Sequence, residues 1–227
     1  MGAKHVISRN SEIFTDRADA AERLAEVLQE FKSEHPVILG IPRGGVVVAD
    51  HLARSLDGDL DIVLAHKLGA PANRELAIGA VCEDGTAFVD ERIARAVAAS
   101  EQYIEREKHA QLQLMQQRVA RYREILCKTD LRDRVVIVTD DGVATGATMK
   151  AALWAVRQEE PQRTVAALPV GPSNTIEELA ETADEVICLE TPPYFAAIGQ
   201  FYRRFEQVDD SELLAILQHE HERRCRV

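Results

Sequence analysis

Val135-Val136-Ile137-Val138-Thr139-Asp140-Asp141-Gly142-Val143-Ala144-Thr145-Gly146-Ala147-Thr148 is the stretch that decides the fold. Its β-branched start reads as a buried strand of a parallel sheet. The strand stops at two adjacent carboxylates, passes through a loop of small residues and enters an apolar-periodic helix from Met149 to about Val156. Small side chains let the N–H groups of such a loop close on an anion, and the helix N-terminus adds partial positive charge. Thr145 and Thr148 offer hydroxyls to the same anion. Two carboxylates repel a phosphate, so they face something else: sugar hydroxyls or a metal. The combination predicts a site for a phosphorylated sugar.

Upstream, apolar residues at helical spacing predict an amphipathic helix over Asp16 to Phe31. A short strand, Pro36 to Ile41, breaks at Pro42 and the Gly44-Gly45 pair, and a helix runs from Val46 to Leu56. Asp61 to Ala65 reads as the next strand, and Leu76 to Val81 with Thr86 to Val89 as a hairpin through Glu83-Asp84-Gly85. Asp90 to Leu126 contains no Pro or Gly and reads as one continuous helix of roughly 50 Å. Its stripe Leu112, Met115, Val119, Tyr122, Leu126 suits either packing on the sheet or half of a dimer contact. Downstream, Thr164 to Val170 and Glu185 to Leu189 are strands flanking a helix from about Asn174 to Thr182. About 35 residues precede the first strand read this way. Strands alternating with helices predict an α/β fold with a mainly parallel sheet, whose ligands sit beyond the carboxyl ends of the strands.

The 227 residues suffice for one α/β domain with an appendage, and 46% apolar and 29% charged residues are ordinary for a globular protein. A net charge of −11 argues against a nucleic-acid or anionic-membrane surface. No run approaches the ~18 apolar residues of a membrane span. Met1-Gly2-Ala3-Lys4-His5 lacks a secretory apolar core, and the dispersed Cys82, Cys127, Cys188 and Cys225 read as reduced thiols, so a cytoplasmic protein is expected. His219 and His221, two apart on a terminal helix, point in different directions and do not make a metal pair.

The 135–148 run resembles the ribose-phosphate signature of the type I phosphoribosyltransferases: four apolar residues, two acids, two apolar residues, any residue, then Thr/Ser-Gly-any-Thr/Ser. Thr139 and Gly142 depart from it without removing a ligand group. One unit upstream, Pro42-Arg43-Gly44-Gly45 is a plain turn when read alone, but here it resembles the family's pyrophosphate loop. The 67–75 segment, Lys67-Leu68-Gly69-Ala70-Pro71-Ala72-Asn73-Arg74-Glu75, resembles the mobile loop that closes over the substrates. Thr191-Pro192-Pro193-Tyr194-Phe195 falls where the family has its base-holding hood, about 190–210, after a core of about 14–190. Within the family, the chain is most similar to bacterial proteins known only as predicted phosphoribosyltransferases.

The resemblance implies one phosphoribosyltransferase domain over 1–227 and displacement of pyrophosphate from C1 of 5-phosphoribosyl 1-diphosphate (PRPP) by a nitrogenous acceptor. Asp140 and Asp141 would hold the ribose hydroxyls, directly or through Mg²⁺, and Ala144, Thr145, Gly146, Ala147 and Thr148 the 5-phosphate. Arg43, Gly44, Gly45 and Lys67 would bind pyrophosphate, Arg74 would arrive on closure, and Phe195 or Tyr194 would stack on the base. Ala144 stands where 6-oxopurine enzymes carry an acid, which disfavours hypoxanthine, guanine and xanthine. A homodimer is expected. The alternative is a non-catalytic PRPP sensor or regulator, for which the acidic chain offers no nucleic-acid-binding appendage.

Overall fold

The computed structural model describes residues 2–8, 12–74 and 76–225. The strands in chain order are β1 (Ala3–Ser8), β2 (Val37–Gly40), β3 (Asp59–Ile62), β4 (Ala65–Gly69), β5 (Ala77–Cys82), β6 (Ala87–Val89), β7 (Val135–Thr139), β8 (Arg163–Val170) and β9 (Glu185–Glu190). The helices are α1 (Arg17–Val27), α2 (Gly44–Leu56), α3 (Glu91–Ala96), α4 (Glu101–Arg123), α5 (Ala147–Arg157), α6 (Ser173–Leu179) and α7 (Asp210–Arg224).

Six strands form a parallel sheet in the order β1-β9-β8-β7-β2-β3, so the expected α/β architecture is present. β7 shows why its sequence is apolar throughout. Val136 and Val138 face a core shared with α5 and α6, whereas Val135 and Ile137 face one shared with α1 and α2. A third cluster lies under the small antiparallel sheet β4-β5-β6 and takes in residues of α4 and α7.

Four expectations are corrected. The strand read at Asp61 to Ala65 is two strands in different sheets: β3 ends at Ile62 and β4 begins at Ala65, turning the expected hairpin into a three-stranded sheet. The junction Ile62-Val63-Leu64-Ala65 is apolar without a break, so one strand and two read alike. The helix expected over 90–126 breaks between Ala96 and Glu101. Ala98 takes φ +53° there, and Ser100 accepts a hydrogen bond from the Tyr103 N–H, so a serine N-cap restarts the helix without Gly or Pro. The first strand is β1, on the edge beside β9; its alternation is weak and it is mostly exposed. The helix over 16–31 is α-helical only to Val27 and finishes as the 3-10 turn Gln29–Glu34.

The stripe on α4 is used inside the chain: Met115, Tyr122 and Leu126 are buried in the third cluster, with Leu112 and Val119 packed against it. The opposite edge, β3, is covered by side chains. Glu220 accepts from the Leu60 N–H, Arg224 donates to the Leu60 carbonyl, and Arg123 donates to the Ile62 carbonyl. All four cysteines are free thiols, and His219 and His221 are exposed on α7. Among the described residues no helix is long and apolar enough to cross a membrane.

Candidate active site

The loop after β7 wraps a pocket of about 200 Å³ lined by Asp140, Gly142 to Met149 and Ile198. Its five expected phosphate ligands, Ala144, Thr145, Gly146, Ala147 and Thr148, are therefore together. Gly146 forms the N-cap of α5 with φ +71°, and no side chain caps that end. The first-turn N–H groups of α5 thus lack a side-chain acceptor, which is the usual provision for an anion. The Thr175 hydroxyl donates to the Ala144 carbonyl at 2.9 Å and anchors the loop from α6. Gly142, a departure from the family pattern, is required by space: a Cβ there would lie 2.8 Å from Ile198.

The turn Arg43-Gly44-Gly45 sits directly on the acid pair. A Cβ on Gly44 would lie 2.0 Å from the Asp141 Oδ2, and one on Gly45 would lie 2.8 Å from the Asp140 Cα. Backbone therefore meets carboxylate with nothing between, which a plain turn would not require. The peptide between Pro42 and Arg43 is cis. The Arg43 guanidinium is turned to α7, 3.6 Å from Asp210, and does not line the loop pocket.

The two acids are not equivalent. Asp141 is buried and its Oδ2 accepts from the Arg17 Nε at 2.7 Å, while the Tyr202 hydroxyl donates to its carbonyl at 2.6 Å. Asp140 lines the pocket, and its Oδ1 accepts from the Asp141 N–H at 2.8 Å. Burial and then the neighbouring Asp141 charge hold the Asp140 carboxyl well above the usual carboxylate range, partly opposed by Arg17. The same burial and charge push the Tyr202 phenol up, which keeps it a donor.

A second cavity of about 370 Å³ collects His66, Lys67, Arg74, Glu107 and Gln111, and touches the phosphate loop at Thr148. Lys67 is not in a loop, as the sequence suggested, but inside β4. The connecting segment is shorter than expected and runs from Ala70 to Leu76; Glu75 lies outside the described residues. Arg74 meets the buried Glu107 of α4 at 3.2 Å. Gln111 donates to Glu107 at 2.9 Å and sits 3.1 Å from the His66 Nδ1, and the Tyr103 hydroxyl donates to the Gly69 carbonyl at 2.7 Å.

The expected base-stacking residues do not line the loop pocket. Tyr194 is 85% exposed, and Phe195 packs on Phe201 at 5.2 Å beside an open cleft formed with Pro172 to Asn174 and Thr191 to Pro193. From the hood it is Ile198 that reaches the phosphate loop. Sequence reasoning also missed Arg17, Thr175 and Glu107. A capped helix start, a polar residue on a short helix and one acid on a polar helix carry no local signal of their own.

The donor set fits magnesium only in part. Among the described residues no group of three or more His, Cys, Asp or Glu is placed to hold a metal alone. Mg²⁺ commonly takes one or two carboxylates and completes its shell with substrate oxygens and water. Asp140, facing the pocket, fits that role; Asp141, engaged by Arg17, does not.

A βα loop with an uncapped helix start beside an acid pair, set at the carboxyl edge of a parallel sheet, is the place where α/β proteins of this kind bind their ligands. The phosphoribosyl transferase domain family matches residues 10–205, and the chain belongs to this family. "Putative phosphoribosyl transferase Rv0571c" of Mycobacterium tuberculosis is 40% identical over 209 residues, which are 92% of this chain and 47% of that protein. The chain thus spans about half the length of the curated relatives it matches. The crystal structure of TT1426 from Thermus thermophilus matches with TM-score 0.87 and 46% identity, covering 91% of this chain and 98% of that one.

Proposed function

We propose that the protein transfers the 5-phosphoribosyl group of PRPP to a nitrogenous acceptor and releases pyrophosphate. The observation that carries this reading is the position of Asp140. It lines the uncapped phosphate loop on one side and lies against the Gly45 backbone on the other. A 5-phosphate and a diphosphate bound to those two backbones would hold a ribose between them, over the carboxylate.

The loop N–H groups and the Thr145 and Thr148 hydroxyls bind the 5-phosphate, and Asp140 holds ribose hydroxyls. The Gly44 and Gly45 backbone with Lys67 receives the diphosphate. Arg43 and Arg74 join it by exchanging Asp210 and Glu107 for phosphate oxygens. These groups stabilise charge that grows on the leaving group as the C1–O bond breaks. Magnesium, when bound with PRPP at Asp140, supplies further positive charge to the departing diphosphate. The segment after Lys67 covers the reactants and excludes water.

Pyrophosphate release, followed with Mg·PRPP against adenine, orotate, other nucleobases and small amines, tests the reading. Release with at least one acceptor is expected. Tight PRPP binding with no release would make the protein a sensor, and absence of binding would remove both readings.

A further inference from the structure

We propose that Arg17 is a positioning residue for PRPP: it fixes Asp141 beneath the Arg43-Gly44-Gly45 turn and leaves Asp140 as the acid that meets substrate. The inference rests on the function proposed above. Four side chains form a closed circuit here. The Arg17 Nε donates to Asp141 at 2.7 Å, and its Nη1 donates to the Glu206 carbonyl at 2.9 Å. The guanidinium lies 4.1 Å from the centre of the Phe205 ring, Phe205 stacks on Tyr202 at 4.9 Å, and the Tyr202 hydroxyl returns to the Asp141 carbonyl.

Three features distinguish this from an ordinary surface ion pair. Both charged groups are nearly removed from water, with side-chain exposures of 12% and 11%, so loss of one partner strands the other. Arg17 is the first residue of α1, where a cation opposes the helix dipole; the helix itself gains nothing from it. The pair is also the floor of the turn, because a Cβ on Gly44 would meet the Asp141 Oδ2 at 2.0 Å and the Arg17 Nε at 3.1 Å. Movement of Arg17 therefore moves Asp141, the turn above it and Asp140 beside it. Phe205 and Tyr202 belong to the hood region, so the circuit anchors that end of the chain beneath the donor side of the site. Arginine suits this: its planar fork donates in two fixed directions while lying flat on a ring, whereas a lysine ammonium is a compact point charge with no plane to stack.

The test uses Arg17→Lys, Arg17→Gln and Phe205→Leu, with melting temperature, Mg·PRPP calorimetry and steady-state kinetics on each. For Arg17→Lys, which keeps the charge, we expect a fold as stable as wild type with kcat/KM for PRPP lowered about 10–100-fold, the range for residues that orient a ligand group. KM for the acceptor should stay at its wild-type value. Arg17→Gln should lose at least as much, and Phe205→Leu less in the same direction. If the Gln variant does not fold, the other two decide. Folded variants with wild-type kcat/KM for PRPP, or a change confined to acceptor KM, overturn the assignment while leaving the proposed function standing. Wild-type protein that binds no Mg·PRPP overturns both. Where wild type binds PRPP without turnover, the same fall is read in Kd.

Discussion

The phosphate loop and the segment after Lys67 border the same space, meet at Thr148, and are built on opposite principles. The loop is shaped by backbone: its helix N-terminus is uncapped, and Gly142 and the Gly44-Gly45 turn admit no Cβ without collision. Such a surface is set on folding and has no alternative partner to exchange. The segment between β4 and β5 closes on itself through the Ala70 N–H to Leu76 carbonyl and Leu76 N–H to Asn73 carbonyl bonds, and side chains tie it to α4. Arg74 reaches Glu107 across the cavity, and Tyr103 holds the Gly69 carbonyl. The first arrangement suits a group held the same way each time, as the proposed 5-phosphate would be. The second suits a contact that must be released and remade, because a single ion pair with an exposed arginine contributes about 1 kcal/mol or less.

That contrast can be broken at either end. The largest effect is expected at Asp140: Asp140→Asn should lower turnover about 10²–10³-fold, as for loss of one preorganised electrostatic contact, with a smaller change in PRPP affinity. Equal losses in kcat and affinity would show that the acid only supports the loop. Gly44→Ala should follow at about 10²-fold, since it displaces the acid pair by the better part of an ångström. A crystal structure of that variant with an unmoved Asp141 would contradict the close-packing account.

Saturating Mg·PRPP should raise stability by about 2.7 kcal/mol at a hundred times Kd. It should also slow amide exchange in 70–76 far more than in 142–148, and equal protection of the two segments would erase the distinction drawn here. The smallest effect is expected from Tyr103→Phe, about 0.5–1.5 kcal/mol for one hydrogen bond, seen as faster exchange after Gly69. Unchanged exchange would mean that α4 does not hold the segment.

Whatever depends on neighbours in sequence was legible before the fold was known. The β7 strand, the acids and the small-residue loop lie within fourteen consecutive residues, and the structure gathers Asp140 and the loop around one pocket. The parallel sheet followed from the alternation of elements. What escaped was long-range or ambiguous at short range. Arg17 meets Asp141 from the start of another helix, and Glu107 meets Arg74 from α4. Such pairs leave no periodic trace. The break at Ala98 was hidden because Ser100 alone signals it, and serine is common inside helices as well as at their starts. The hood packs Phe195 on Phe201 and brings the aliphatic Ile198 to the loop pocket, a placement that no spacing within 191–202 signals.

The sheet order carries a consequence for how the chain is made. β1 has one neighbour, β9, and Ala3 pairs with Glu185, so the first strand of the sheet to be synthesised waits for the last. β2, β3 and β7 can associate as soon as the region up to 139 has emerged, and β8 adds outward from them. Domains assemble from the N-terminus during synthesis, and distant pairings form slowly because loop closure precedes any gain. Here that rule is inverted at one edge: the nascent β1 segment remains an unpaired strand until the last of the sheet arrives. The interval before β9 emerges is therefore the stage of biogenesis at which a chaperone contact, or a mispaired neighbour on the same polysome, would find its target.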